Sequence, residues 1–364
     1  MSDSGALSPR TAPSQRSLVV IVVGALVVFA IAATGLAWAK WFPYASKVGT
    51  LHLTREWDGA SMLTSSDGAP SLTAAWDFAA AYTKAVWRAL LVSLLIAAAL
   101  DALVSRRWLV RLLSRGSTWG QAGTGAVLSL PSMMCTCCTA PITVTLRRSG
   151  APTAAVVSHW LGNPLLNPAV LVFLFLVAPW QWGVARLAVG IVVVITAAVI
   201  TGEIARRRAG ASPTQVMTPR AATDEPTPAL SELPGRFLRS LWRISRVLVP
   251  EYAIVVLIVG GFSGWLARFT EITGTGGVAA LVLAAVVGTL LVIPTGGEIP
   301  VLIGLSAVGA SSGLLGVLLI TLPALSVPSM VMVARALSVR VTMAAAITVA
   351  GGGLLAAGVL TTMS

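Results

Sequence analysis

The chain has 364 residues, of which 56% are hydrophobic and only 10% are charged, and its mean hydropathy is +0.87. Soluble globular domains carry about 25% charged residues, so this composition excludes a soluble protein. The formal net charge of +12 would indicate a nucleic-acid partner if the basic residues formed one soluble patch. Here they flank apolar stretches, which indicates a lipid bilayer and no nucleic acid.

Seven apolar stretches are long enough to cross the hydrocarbon core, which takes about 20 residues of helix. They are residues 18–39, 86–104, 154–178, 184–204, 247–267, 313–334 and 341–360. Only helices and closed barrels satisfy every backbone group in lipid, and barrel strands would alternate in polarity. We therefore predict an all-α polytopic membrane protein.

Arginine residues set the predicted orientation, because cytoplasmic loops are enriched in Lys and Arg. Arg10 and Arg16 precede the first span, and further arginines follow the second and fourth spans and precede the fifth. The N-terminus is therefore predicted to be cytoplasmic, in the cytoplasmic (inner) membrane. The first span ends in an A-x-A pattern, but its apolar run exceeds a signal-peptide core, so we predict a retained anchor.

Two further apolar segments are interrupted by proline. The first lies between Arg115 and Arg147 and contains Pro131 and Pro141, and the arginines place both of its ends in the cytoplasm. The second, residues 277–309, contains the sequence IPTGGEIPV, and both of its ends are predicted to lie outside. Each is predicted to be a re-entrant hairpin with irregular backbone at its tip; a kinked full crossing is the alternative.

The two halves of the chain show a hidden repeat. Pro131 aligns with Pro294 and Pro141 with Pro300, and the step from a glycine to a helix-breaking proline has the same length in both halves. Because the charges place the copies in opposite orientations, we predict an inverted repeat of helix bundles. That plan recurs in secondary transporters, whose interrupted segments form the substrate site.

This reading divides the chain into six parts. They are a cytoplasmic tail (1–17), an extra N-terminal transmembrane helix (18–39), an extracytoplasmic loop (40–84), a first transmembrane repeat (85–205), a cytoplasmic linker (206–246) and a second transmembrane repeat (247–364). The linker is polar and rich in proline and threonine, which is typical of a flexible connection.

All the cysteines of the chain, Cys135, Cys137 and Cys138, lie at the predicted tip of the first interrupted segment, directly after Met133 and Met134. Soft sulfur ligands select thiophilic species such as Cu(I), and trivalent arsenic binds thiolates by the same preference. Cysteine as a small packing residue and a C-x-x-C redox pair without a βαβ pattern are the competing interpretations. We predict that these thiols bind a solute, with a thiophilic metalloid as the hypothesis.

Glu298 occupies the corresponding place in the second interrupted segment, after Gly296 and Gly297. A carboxylate at membrane depth costs about 2.5–3.5 kcal/mol on insertion scales, so we predict that Glu298 faces a cavity and exchanges a proton or binds solute. The two glycines permit the close backbone turns of a binding loop. A shallow position at the outer headgroups is the alternative.

The sequence SHWLGNPLLNPAV supplies Asn163 and Asn167, each directly before a proline, and His159. Asparagine side chains can satisfy backbone groups where proline removes a donor, and they can also form a polar lining beside the cysteines. We include both asparagines in the predicted site. His159 is included as a further lining residue, although a lone histidine is more often a packing group.

These motifs resemble those of the ArsP-like permeases, some of which export trivalent organoarsenicals. The sequence CTCCTAP at 135–141 is similar to the family pattern C-x-C-G-x-x-P, and GAP at 150–152, NPLLNPAV at 163–170 and GGEIPVL at 296–302 are similar to further family motifs. The resemblance runs from about Val86 to the C-terminus. It implies an inner-membrane permease that exports its solute. Cys138 stands where the family usually has glycine, which adds a thiol to the segment.

Together these features predict a secondary transporter, not an enzyme, that needs no cofactor and carries no P-loop motif of its own. Its three cysteines would capture a small thiophilic solute, with a trivalent arsenical as the first candidate, while Glu298 exchanges a proton. One alternative is a permease for Cu(I) or another soft metal that also uses Met133 and Met134. The other is a non-transporting membrane thiol redox sensor.

Overall fold

The computed structural model describes residues 15–57, 71–104, 106–114, 116–208, 230–261 and 277–363. Arg10, Arg115 and parts of the predicted loop and linker lie outside these residues. Every regular element within the described ranges is helical, and six helices are long and apolar enough to cross a membrane, or seven with one bent pair. The prediction of an all-α polytopic membrane protein is confirmed.

In the first part of the chain the helices are α1 (Gln15–Leu36), α2 (Phe42–Thr54), α3 (Leu72–Leu103), α4 (Arg106–Leu113), α5 (Thr118–Ser129), α6 (Thr136–Arg148), α7 (Thr153–Leu165), α8 (Pro168–Val177) and α9 (Trp180–Arg208). In the second part they are α10 (Leu233–Gly261), α11 (Val278–Leu290), α12 (Glu298–Ala307), α13 (Ser312–Ala324), α14 (Val327–Leu337) and α15 (Val339–Met363). A π-helical turn, Ala37–Trp41, joins α1 to α2.

Several helices are longer than the apolar runs from which they were predicted. The first continues through the π-helical turn to Thr54, well past residue 39, and α3 already begins at Leu72, inside the predicted loop. Hydropathy reports where a helix meets lipid, whereas the backbone hydrogen bonds continue as long as the neighbouring residues allow a helix. Residues 58–70 of that predicted loop are outside the described ranges.

Each interrupted segment consists of two short helices joined by a short connection that is not α-helical, which in the first segment begins with the 3-10 turn Leu130–Ser132. In the first, α5 has 12 residues and α6 has 13; in the second, α11 has 13 and α12 has 10. A helix of 13 residues rises about 20 Å, which is less than the roughly 30 Å hydrocarbon core. None of these helices can therefore cross the membrane alone.

Apart from α4, the described helices follow the same order in both halves. A long helix (α3 or α10) is followed by an interrupted pair (α5–α6 or α11–α12), a helix with a break (α7–α8 or α13–α14) and a second long helix (α9 or α15). The break between α13 and α14 bends the chain by 54°. The opposite orientation of the two halves in the membrane stays a prediction.

The most extensive contacts that join the halves into one bundle are those of α3 with α10, α9 with α15 and α6 with α14. The outward faces of the helices carry exposed large apolar side chains such as Phe29, Ile254 and Ile347. Small residues permit the close helix contacts inside, as expected in a membrane, where helices associate by packing rather than by the hydrophobic effect.

Gly125 on α5 is one such small residue, and its position generates a stability prediction. A Cβ atom at this position would lie 2.1 Å from the carbonyl oxygen of Ala155 and 2.2 Å from the hydroxyl of Ser158, both on α7. We expect Gly125→Ala to destabilise the protein by about 1–3 kcal/mol through overpacking, measured as a lower thermal midpoint of the purified protein in detergent.

Gly123 on the same helix is the matched control, because a Cβ atom there would meet nothing within 4 Å. We expect Gly123→Ala to leave stability within about 1 kcal/mol, in the stabilising direction, since alanine is the better helix former. Equal midpoints for the two variants would contradict the close approach of α5 and α7.

Candidate functional site

The three cysteines lie where the first interrupted segment changes from irregular backbone to helix. Pro131 sits in a 3-10 turn, Met133 adopts a left-handed conformation with φ of 48°, and Cys135 is the N-cap residue of α6. Within α6, Pro141 has no N–H to donate to the carbonyl of Cys137, four residues earlier. This segment therefore exposes backbone polar groups that need partners elsewhere.

Asn163 on α7 supplies partners for this irregular backbone. Its Oδ1 atom accepts a hydrogen bond from the hydroxyl of Ser132 and another from the backbone N–H of Met134, the latter at 3.4 Å. Its Nδ2 group donates to the carbonyl oxygen of His159 at 2.8 Å. Asn163 thus holds the irregular segment that carries the cysteines against α7. This is the role of satisfying free backbone groups that was considered for this residue from the sequence.

The three thiols form one compact, buried cluster. The Sγ atom of Cys135 lies 2.9 Å from that of Cys137 and 3.0 Å from that of Cys138, while the last two are 3.9 Å apart. All three cysteines are free, and their sulfur atoms lie close enough together to ligate a single ion. Soft thiolate ligands in this number suit a thiophilic ion or metalloid.

Aromatic and basic residues from other helices surround the thiol cluster. The hydroxyl of Tyr82 on α3 lies 3.1 Å from the Sγ atom of Cys137, and the ring of Tyr82 packs against that of Tyr252 on α10 at 6.3 Å between centroids. Lys40 lies within electrostatic range of Cys135 and Cys138. The side chain of Trp41 donates to the carbonyl oxygen of Pro131 at 2.8 Å, so the N-terminal helix covers this segment.

The second interrupted segment makes a tight turn between α11 and α12. Gly296 has φ of +84°, a left-handed conformation that favours glycine, and the backbone N–H of Gly297 donates to the carbonyl oxygen of Pro294 at 2.8 Å. A Cβ atom on Gly297 would lie 2.9 Å from the side chain of Ile293. Both glycines are therefore required by the turn that presents Glu298 as the first residue of α12.

Glu298 forms a fully buried ion pair with Arg186 on α9. The Nη1 atom of Arg186 donates to the Oε1 atom of Glu298 at 2.8 Å, and both side chains are 0% exposed. The Nη2 atom of Arg186 donates to the carbonyl oxygen of Pro164 at 2.8 Å. Two further buried atoms of this pair, Nε of Arg186 and Oε2 of Glu298, have no hydrogen-bond partner in the structure.

Asn167 and His159 make no side-chain hydrogen bond to the thiols or to Glu298 among the described residues. Asn167 is the N-cap of α8, and its Oδ1 atom accepts from the backbone N–H groups of Ala169 and Val170. This is an ordinary capping role, although its buried Nδ2 group has no partner. The imidazole of His159 is buried with an unpartnered Nδ1 atom.

By their direct contacts, the predicted residues form two groups, which we call the two centres. Cys135, Cys137 and Cys138 pack in one hydrophobic cluster together with Met134, Tyr82 and Trp160. Ile299 and Leu302, which follow Glu298 on α12, pack in a second cluster. Asn163 belongs with the thiols and Gly296 and Gly297 with Glu298; the binding roles predicted for these residues stay predictions.

Sequence reasoning missed two residues of these centres, Arg186 and Tyr82. Arg186 lies two residues inside a predicted span, where an intramembrane charge is by default a functional candidate, so its position in the sequence was a signal that could have found it. Tyr82 lies in the segment predicted as a loop. Only the packing of α3 against α6 brings it to Cys137.

Comparison with known proteins agrees with the motifs and the fold. The chain matches the ArsP_1 family, described as "Predicted permease", over residues 71–362. It is 32% identical to the UPF0718 protein YraQ of Escherichia coli (strain K12) over 331 residues, which cover 91% of this chain and 92% of that protein. No solved structure matches the chain. The resemblance inferred from the motifs is thereby confirmed, and the protein belongs to the ArsP_1 family of predicted permeases.

Proposed function

We propose that this protein is a secondary transporter of the cytoplasmic membrane that exports a trivalent arsenical, with its thiol cluster as the binding site. The cluster of three buried thiols within reach of one ion is the observation that carries the proposal. Membership of a permease family points to transport rather than catalysis. The breaks in α7–α8 and α13–α14 and the repeated order of elements suit alternating access.

Capture would proceed by ligand exchange at arsenic. A thiol of the cluster replaces a hydroxyl group on the hydrated arsenical, so one As–O bond breaks, one As–S bond forms, and the thiol proton leaves with the hydroxyl as water. The separations of 2.9 and 3.0 Å from Cys135 to its neighbours favour a second exchange at the same arsenic atom. Two or three such bonds hold a trivalent metalloid without any change of oxidation state.

Glu298 is the proposed proton-exchanging group. It is fully buried, begins a helix of an interrupted segment and leaves one carboxylate oxygen without a partner. Intramembrane carboxylates of this kind serve as proton relays in transporters. In the predicted topology, with a cytoplasmic N-terminus, proton entry from outside would drive export of the solute.

The central test replaces the thiols one at a time. In everted membrane vesicles, we expect Cys135→Ser, Cys137→Ser and Cys138→Ser each to reduce uptake of methylarsenite at least about tenfold. Loss of a residue that only hydrogen-bonds to a metal ligand already lowers metal affinity or activity about 10- to 100-fold, and these cysteines are the proposed ligands themselves. Uptake is measured as arsenic retained in the vesicles. Thr145→Ser, a conservative change at a buried position of the same helix, is the control and should transport normally.

The outcomes separate the parts of the proposal. Wild-type uptake that survives all three cysteine substitutions would overturn the site. If wild-type vesicles accumulate no methylarsenite, arsenite or antimonite, the cargo is wrong. A chain that only senses redox state would change its thiol oxidation while moving no solute.

The soft-metal alternative is favoured by one observation, the burial of Met134 in the same cluster as the cysteines. Met133, by contrast, packs against the other cluster, so the structure does not gather all five sulfur atoms at one point. A Cu(I) site would therefore consist of the cysteines and Met134, since thioether sulfur suits Cu(I).

Met134→Leu distinguishes the two cargoes. Leucine and methionine have similar volumes, so the exchange keeps the packing and removes only the sulfur ligand. We expect methylarsenite uptake to stay within about twofold of the wild type, since arsenic is held by thiolates. The soft-metal alternative would be established if wild-type vesicles take up Cu(I) but no arsenical and Met134→Leu abolishes the Cu(I) uptake.

A further inference from the structure

The ion pair of Arg186 and Glu298 bridges the two halves of the chain at a buried point. Arg186 belongs to α9 in the first half, and Glu298 begins α12 in the second. Neither side chain is exposed. Two charges in such surroundings are tolerated only while they stay paired, because separating them leaves each one desolvated without a partner.

Arg186 also contacts the break between α7 and α8. Its Nη2 atom donates to the carbonyl oxygen of Pro164. That carbonyl lies four residues before Pro168, which has no N–H to donate. One guanidinium therefore holds two interrupted elements together, the turn before α12 and the broken helix α7–α8.

A corresponding contact exists at the other interrupted segment. Thr136 begins α6, as Glu298 begins α12, and its hydroxyl lies 3.3 Å from the hydroxyl of Ser326, at the break between α13 and α14. The first interrupted segment thus contacts the broken helix of the opposite half directly, and the second is linked to it through Arg186. One of these two contacts is neutral and the other is ionic, so only the Glu298 contact changes strength when a proton binds.

We propose that Arg186 is the positioning partner of Glu298 in a proton-operated gate. With Glu298 ionised, the pair clamps the second interrupted segment to the α7–α8 break and keeps the interface between the halves closed. A proton from the aqueous phase that binds the carboxylate removes its charge, and the clamp releases while Arg186 keeps its own proton. The inference rests on the alternating access of the proposed function.

Within the described residues, few other charged groups lie near Glu298. Trp57 lies beside the turn at Gly296, and the Nζ atom of Lys47 lies 3.6 Å from the centroid of its ring. α13, which packs against α12, carries no titratable side chain between Ser312 and Ala324. α9 contributes Arg186 itself, and its remaining charged residues lie at its far end, from Glu203 onward. On α7 the titratable residue is His159, five residues before Pro164. Thr295 has a buried hydroxyl without a hydrogen-bond partner three residues before Glu298.

The native thiols provide a test that needs no cargo. The three cysteines are the only ones in the sequence, and all are buried, so their alkylation reports opening of the bundle. The full chain in proteoliposomes is treated with N-ethylmaleimide between pH 5.5 and 8, and the labelling rate is followed by mass spectrometry. Rates are compared between variants at the same pH, so that the effect of thiol ionisation on the labelling rate is the same for each variant.

Two neutral variants should open the gate. We expect Glu298→Gln, and the double variant Arg186→Gln with Glu298→Gln, to label at least about tenfold faster than the wild type at pH 8, which corresponds to 1.4 kcal/mol of clamping. The double variant leaves no unpaired buried charge, so it keeps the test valid if the single variant folds poorly. As the pH falls, the wild-type rate should approach that of Glu298→Gln.

The control breaks a different ion pair. Glu251 lies 3.1 Å from Arg335, and both residues belong to the second half, so Glu251→Gln removes an ion pair without disconnecting the halves. It should label within about twofold of the wild type at every pH tested. Arg186→Lys keeps a charge and should protect the thiols better than the neutral variants.

The gate is overturned if both neutral variants label at the wild-type rate, or if the ratio of their rates to the wild type does not change with pH. Because no arsenical enters this experiment, a wrong cargo leaves its result unchanged. Vesicles that transport methylarsenite normally in the double variant would likewise overturn the gate and leave the thiol site intact.

Discussion

The structure depends on one constraint, that polar groups inside a membrane protein must find partners within the protein. Prolines break the helices α7 and α13 and interrupt the segments before α6 and α12, and every break frees backbone groups. Asn163 and Arg186 supply partners at two of these breaks, one at the backbone that carries the cysteines and the other at Pro164. The two residues that hydrogen-bond to these free backbone groups therefore also hold the two centres in place.

The two centres differ in chemistry although each includes the start of the second helix of an interrupted segment. The first is a cluster of sulfur atoms with a tyrosine hydroxyl beside it, suited to covalent exchange with a soft atom. The second is a single ion pair between the halves, whose strength depends on charge. In the proposed transporter this division separates the group that holds the solute from the group that responds to protons, and the shared bundle connects them.

Residues of the two centres could be predicted where the signal lies within a few positions of the chain. The cysteines, the two glycines and Glu298 were found because their spacing to proline is readable along the chain, and the turn at Gly296 adopts the backbone conformation that glycine favours. Asn163 was placed in the site, and its structural role follows from the prolines near it. Arg186 and Tyr82 were missed because their partners are 112 and 55 residues away, a separation that no local pattern encodes.

The sequence by itself determined the helical membrane fold, the approximate spans, the two interrupted segments and the family, because hydropathy and proline act over a few turns of chain. The tertiary structure decided which side chains meet. It grouped the predicted site residues by direct contact into two centres, gave Glu298 a buried cation as its partner and brought α3 and the N-terminal helix to the thiols. These outcomes depend on how helices pack, and in a bundle whose helices are apolar on most faces, periodicity does not specify which faces meet.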